Sequence, residues 1–167
     1  MSSSLNDFCI WLEQTNVSAF VKTNKWVVPS LQTLHILCVA VVLSSILMLT
    51  LRILGILGKD QSLQAFAARF LPWIWYTIPV LAVGGMLQIT AEPERSLNNT
   101  VFQLKMVLLL AAMGGTAIVW RKIRVPADAS APRQDGTASL RLVSGAVFVL
   151  WVAIIVAGRW IAYWTGL

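Results

Sequence analysis

The stretch Trp26–Leu54, WVVPSLQTLHILCVAVVLSSILMLTLRIL, decides the fold. Gln32, His35 and a few hydroxyls interrupt it, and its one charge, Arg52, stands near the end. A helix of roughly 20 apolar residues crosses a hydrocarbon core about 30 Å thick, so this run is long enough to span a bilayer. Three more runs qualify, at about 70–90, 101–120 and 142–164, the third with Lys105 near its start and the fourth with Arg159 near its end. Backbone amides in lipid must be satisfied within the segment, which makes these runs helices. The two-residue alternation of barrel strands is absent. The expectation is an all-α chain, an integral membrane four-helix bundle.

Composition agrees. Apolar residues make up 57% of the 167 and charged residues 12%, against roughly a quarter charged in soluble domains. That leaves too little polar surface to coat a water-soluble globule. The net charge of +6 invites a nucleic-acid partner, but the basic residues sit mainly at the ends of apolar runs and form no basic stripe with interleaved aromatics. The partner implied is the lipid bilayer, not nucleic acid.

Outside the runs, residues 1–25 form an N-terminal segment and 26–167 the transmembrane domain. Within the first, Leu5 to Val21 reads as one short amphipathic helix lying on the membrane surface, with Leu5, Phe8, Cys9, Leu12, Ala19 and Phe20 as its apolar residues. No basic start and apolar stretch of a cleaved leader precedes it, so the first span is expected to act as an uncleaved signal. Cys9 and Cys38 make no disulfide framework. Pro72 is expected in the first turn of the second span and Pro79 deeper, as a kink. Val125 to Thr137 reads as a loop. Asn98-Asn99-Thr100 matches a glycosylation sequon, which a bacterial chain does not use.

Lysine and arginine counts set the orientation. The loops after the first and third spans, with their flanks, hold eight: Arg52, Lys59, Arg69, Arg121, Lys122, Arg124, Arg133 and Arg141. The opposite side holds three, Lys22, Lys25 and Arg95. The richer side is expected to be cytoplasmic, which puts both termini outside a bacterial inner membrane.

With that topology the unusual polar residues share one level. His35 lies about 9 Å inward from Pro29, Gln88 and Glu92 close the second span, Lys105 is about one turn into the third, and Arg159 is more than a turn inside the end of the fourth. Ionisable groups at membrane depth are costly and normally face a bundle interior. His35 shares a helical stripe with Gln32, Cys38, Val42, Ser45, Leu49 and Arg52. It reads as an axial ligand to haem iron, a proton-handling group, or a hydrogen bond between helices; a His-x-x-Cys metal site has too few ligands. Lys105 and Arg159 either snorkel to headgroups or bind a carboxylate of haem, quinone or substrate. Six of the eight tryptophans, among them Trp26, Trp73, Trp75, Trp120, Trp160 and Trp164, fit an interfacial belt. Trp151, in mid-helix, either packs in the core or against a ring-shaped ligand. Gly84-Gly85, and Ala111 with Gly115, permit close helix approach. No phosphate-binding loop, HExxH, Ser-His-Asp set or pair of membrane carboxylates exists, so hydrolytic catalysis has little support, and with only His35, Lys105 and Arg159 to line a path a channel or primary pump has none. Whether the protein is an enzyme stays open.

Gln32-Thr33-Leu34-His35, Leu51-Arg52-Ile53-Leu54-Gly55, Arg69-Phe70-Leu71-Pro72-Trp73, Phe102-x-x-Lys105 and Gly158-Arg159-Trp160-Ile161-Ala162-Tyr163 together resemble an uncharacterised family of small four-span bacterial membrane proteins, over about Pro29 to Tyr163. That family is distantly similar to the membrane protoporphyrinogen oxidases and to the copper-resistance-D-like proteins. The resemblance to the oxidases implies haem b held by a histidine matching His35, with a lysine matching Lys105. Those oxidases carry a further histidine that this chain lacks, and Thr50 stands where an Asp is expected. The reading that leads is therefore a haem b protein in electron transfer or a redox subunit. His35 would be the axial ligand, and Lys105 and Arg159 the partners of the propionates. The other axial position would be open or filled by Met86, Met106 or a second subunit's His35. Two alternatives stand beside it. One is a non-enzymatic accessory subunit of a larger membrane complex or a homo-oligomer. The other is a site for quinone or another small molecule, using Gln32 and His35.

Overall fold

A computed structural model describes residues 3–91, 93–97, 99–124 and 137–160. The described residues form helices and no strands: α1 Ser3–Glu13, α2 Asn16–Thr23, α3 Val27–Ile53, α4 Leu63–Ala91, α5 Pro93–Leu97, α6 Thr100–Arg124 and α7 Ala138–Trp160. Four of them, α3, α4, α6 and α7, are long and apolar enough to cross a membrane, with mean hydropathy from 1.5 to 2.5 over 18 residues. The chain is a helical bundle and, by these spans, a membrane protein.

The long helices alternate in direction. The end of α3 meets the start of α7, where the Thr50 hydroxyl donates to the Ser144 carbonyl at 3.4 Å. The start of α4 meets the end of α6, where the Gln64 amide donates to the Ile123 carbonyl at 3.5 Å. At the other end, Lys105 near the start of α6 reaches Gly158 near the end of α7. The bundle thus has a near end, capped by α1, α2 and α5, and a far end, where α3 turns into α4. Pairing is strongest between α3 and α4 and between α6 and α7, weaker between α3 and α7, and weakest between α4 and α6.

Packing is uneven along the bundle. The close-packed core is built at helical spacing from Val42, Ile46, Leu49 and Ile53 of α3, and from Ala67, Leu71 and Ile74 of α4. Ala112 and Val119 of α6 and Leu140, Val147, Trp151 and Ile154 of α7 complete it. A Cβ on Gly115 would stand 2.5 Å from Val147 Cγ2, so the missing side chain is what lets α6 and α7 close up there. Most of these residues lie in the far half or the middle. In the near half of the four spans, Gly84, Trp151 and Ile154 are the buried residues among those described.

Several local expectations change. The second span begins at Leu63, not near residue 70. Ser62 Oγ accepts the Ala65 amide at 3.2 Å, an N-cap that starts the helix, and Gln64, Ala65, Ala67 and Ala68 are good helix formers that carry it to the apolar run. Pro72 therefore falls inside α4, with Pro79, and not in its first turn. The amphipathic segment is two helices. Thr15 Oγ1 accepts the Ser18 amide at 3.3 Å and caps α2. The face turned to the protein is Cys9, Ser18 and Val21, with Ser18 donating to the Thr90 carbonyl at 2.8 Å. Phe8, Trp11 and Phe20 are exposed. The third span runs on to Arg124. The fourth is described from Ala138 to Trp160, and the expected continuation to 164 lies outside the described residues, as do the expected loop at 125–136, Glu92 and Asn98.

Arg52 explains the far turn. It is 4% exposed, and its Nη2 donates to the Gln61 carbonyl at 2.6 Å, closing the loop between α3 and α4. Gly55 and Gly58 lie in the left-handed region at φ 76° and 66°. A Cβ on Gly58 would stand 2.8 Å from the Phe66 ring and 3.3 Å from Arg52 Cδ, while one on Gly55 would meet nothing. Gly55→Ala should therefore cost the backbone term alone, about 1–2 kcal/mol, and Gly58→Ala measurably more. Thermal unfolding of the two purified variants in one detergent checks this ordering.

Candidate functional site

Polar side chains inside a bilayer need partners, because no water reaches them. In the far half and middle the hydroxyls have them. Ser45 donates to the Val41 carbonyl at 2.8 Å, Thr77 to Trp73 at 2.5 Å, Thr116 to Ala112 at 2.7 Å and Ser144 to Arg141 at 3.1 Å. The Trp151 indole N–H donates to Thr116 Oγ1 at 3.2 Å across α6 and α7. Thr50, Thr116 and Ser144 also edge a cavity of about 10 Å³, the size of one water.

In the near half the pattern reverses. His35, half-buried on α3 about 12 Å from Val27 along the axis, has a buried Nδ1 with no hydrogen-bond partner. Gln88, near the end of α4, has a buried Nε2 in the same condition. Lys105, on α6 about 8 Å from Thr100 along the axis, is half-buried at the same end of the bundle. Its Nζ lies 3.6 Å from where a Cβ on Gly158 would stand, an ordinary van der Waals contact that puts the lysine tip against α7. One turn before Gln88, on the same face, Gly84 is buried, yet a Cβ there would meet nothing within 4 Å. Three spans thus supply an imidazole, an amide and an ammonium to one loosely packed region, and the fourth supplies a glycine.

Chemically the unpartnered Gln88 Nε2 and the Lys105 ammonium are donors, while Gln88 Oε1 and a neutral imidazole can accept. A carboxamide N–H and an ammonium only donate, and imidazole nitrogen donates or accepts. The ion pair found among the described residues, Lys22 with Glu13 at 3.5 Å, belongs to α1 and α2. A carboxylate or carbonyl oxygen is the complement, and charge-assisted bonds to it are the strong ones. Among the described residues no three of His, Cys, Asp and Glu gather into a metal cluster.

The other expected residues sit as follows. Arg159 is exposed on α7 beside Gly158, at the same end. Gln32 is exposed, one turn before His35. Cys38 is half-buried one turn after it. The stripe through His35 is buried only in its far part, at Val42, Ser45, Leu49 and Arg52. Met86 and Met106 are 66% and 42% exposed. Met86 stands two residues from Gln88, a spacing that does not share a face. Trp151 is 5% exposed and about 10 Å farther down α7 than Gly158. Its edge is committed to Thr116. Gln88 was visible in sequence as a polar residue closing the second span, but that its Nε2 is buried without a partner was not.

A family model described as a family of unknown function (DUF6644) matches residues 8–164. The chain belongs to DUF6644. No curated protein and no solved structure matches it. The matched range takes in α2 to α7 and most of α1, so every residue of the polar region is DUF6644 sequence.

The Trp151–Thr116 bond gives a test of the partnered half. Thr116→Val keeps the side-chain shape and leaves the indole N–H without its acceptor. A loss of about 1 kcal/mol is expected, read by denaturant or thermal unfolding in detergent, with Trp151→Phe in the Thr116→Val background costing less than the two changes added.

Proposed function

We propose that the near half of the bundle is a cofactor site and that its occupant is haem b, with His35 as axial ligand and Lys105 as partner of a propionate. One observation carries this reading: a buried imidazole nitrogen and a buried amide without hydrogen-bond partners lie at the same end of the bundle as a half-buried ammonium. Buried side chains are fewer there than in the far half, which favours a flat ring between the spans. An imidazole is a common axial ligand, and a lysine ammonium complements a carboxylate. Arg159 adds a second cation at that end, and the half-buried Cys38 and exposed Gln32 flank the histidine along α3.

The fit is one-sided. The chain has a single histidine, and Met86 and Met106 are largely exposed, so neither completes a His–Met pair with His35 from within the bundle. The sixth position is then open or served by another subunit. When bound, haem b supplies one-electron chemistry at iron, which suits electron transfer or a redox subunit. The chain's own residues would bind and orient it, His35 as a ligand to the iron and Lys105 and Arg159 as partners of its acidic edge.

The two unpartnered nitrogens favour one second reading. His35 Nδ1 and Gln88 Nε2 together form a hydrogen-bonding pair for a carbonyl, as a quinone would offer. A protein acting only as an accessory subunit would use the same region to seat a partner's side chain.

Optical spectroscopy separates these readings. Protein purified from haem-sufficient cells should show a Soret band that disappears in His35→Ala, and Lys105→Met should retain the band with roughly tenfold weaker haem retention. A colourless wild-type protein would sink the haem reading, and quinone extraction from the same preparation would then support the second.

We place the protein in a bacterial cytoplasmic membrane with both termini outside, on the eight-to-three division of lysine and arginine between the two sides. In a background without Cys9 and Cys38, Lys25→Cys on intact cells should react with an impermeant maleimide and Lys122→Cys should react only after permeabilisation. The opposite pattern would invert the orientation.

A further inference from the structure

The far end holds a second feature, unconnected with the cofactor reading. Where α4 and α6 touch, Trp75 and Trp120 meet edge to face with ring centroids 6.1 Å apart. The Arg124 guanidinium lies over the Trp120 ring, 4.3 Å from its centroid. Arg121 and Lys122 follow Trp120 on α6 and are exposed, as Arg124 is. The acidic residue described at this end, Asp60, is exposed in the turn between α3 and α4.

A basic helix end needs nothing more than lysine and arginine reaching for water. Arg124 differs. The contact with Trp120 holds the guanidinium against the indole, a restraint that a solvated cation does not need. A guanidinium presents its N–H donors as a planar fork. This is the fork that matches two oxygens of one phosphate. The shelf beneath it is a pair of indoles, a residue type that settles at the level of lipid headgroups. Arg121 and Lys122 raise the local positive charge. The ligand that complements a planar cation, a tryptophan shelf and adjacent spans at one level is a lipid with a negatively charged headgroup.

We propose that Arg124, Trp120 and Trp75 form a binding site for the phosphodiester of an anionic phospholipid at the seam of α4 and α6. The phosphate oxygens accept from the guanidinium of Arg124, the glycerol and first methylenes lie on the two indoles, and Arg121 and Lys122 set the preference for a net negative lipid. Because α4 and α6 are the most weakly paired neighbouring spans, a lipid seated here also bridges them.

The test uses the full chain, released from detergent and examined by native mass spectrometry after incubation with phosphatidylglycerol or phosphatidylcholine. One phosphatidylglycerol should stay bound, and phosphatidylcholine should leave. Arg124→Gln and Trp120→Leu should each lower retention about tenfold, and Arg124→Lys, which keeps the charge and loses the fork, should lower it nearly as much. Arg141→Gln, an exposed cation of α7 at the same end, should leave retention unchanged. Should Trp120→Leu fail to fold, Arg124→Lys decides alone. Equal losses for the Arg124 and Arg141 variants would reduce the feature to diffuse charge and overturn the site. Release of the lipid by millimolar inorganic phosphate would overturn it as well, by showing a site for a soluble anion.

Discussion

Inside a bilayer a polar side chain has no water to fall back on, so every donor and acceptor must find its partner in protein or in a guest. The two halves of this bundle meet that requirement differently. The far half and middle do so internally: hydroxyls return to carbonyls one turn earlier, Thr50 reaches across to Ser144, Trp151 reaches Thr116, and Arg52 is spent on the Gln61 carbonyl. The near half leaves His35 Nδ1 and Gln88 Nε2 without partners, at the end of the bundle where Lys105 lies. Burying such groups without partners costs stability, and hydrophobic residues of similar volume would serve that better. That cost is what the proposed occupant would offset.

The same division appears in the packing. Helices in lipid gain no hydrophobic drive toward each other, so association depends on shape and on small residues. Gly115 gives way to Val147, and α6 and α7 lock together on the far side of the middle. Arg52, Gly58 and Phe66 tie α3 to α4 at the far turn. With both pairs fastened at that end and in the middle, the near half needs no tight contact to hold the spans in place. It can be left open, as the empty space beside buried Gly84 shows. The short helices α1 and α2 rest on the end of α4 through Ser18 and Thr90 and leave Phe8, Trp11 and Phe20 outward, where an apolar headgroup boundary would receive them.

The fold was legible in sequence because length and hydropathy are one-dimensional properties, and the four runs carry them almost undisturbed. The ends were less legible. The start of α4 is set by one hydroxyl, Ser62, and by alanines that no hydropathy window weighs. The break between α1 and α2 is likewise a single cap at Thr15. Of the site, the depth of His35 and Lys105 followed from counting residues, but which face each presents did not. Met86 and Met106 lie at suitable depths and are exposed on the outside. Gln88 lies no deeper than they do and points inward. Trp151 looked free to stack on a ring until its indole N–H was seen to be taken by a threonine, and a hydroxyl in an apolar run gives no advance sign of which partner it will choose.

What separates the candidate occupants is the number of atoms each must satisfy. A carbonyl ligand accepts from His35 and Gln88 and leaves the Lys105 ammonium as it is. A haem ring takes the imidazole as a ligand and offers carboxylates to Lys105, leaving Gln88 to the solvent-facing edge or to an ordered water. The ammonium is the costlier group to leave without a counter-charge at membrane depth. An occupant carrying an acid therefore answers more of what this chain presents than a neutral one does.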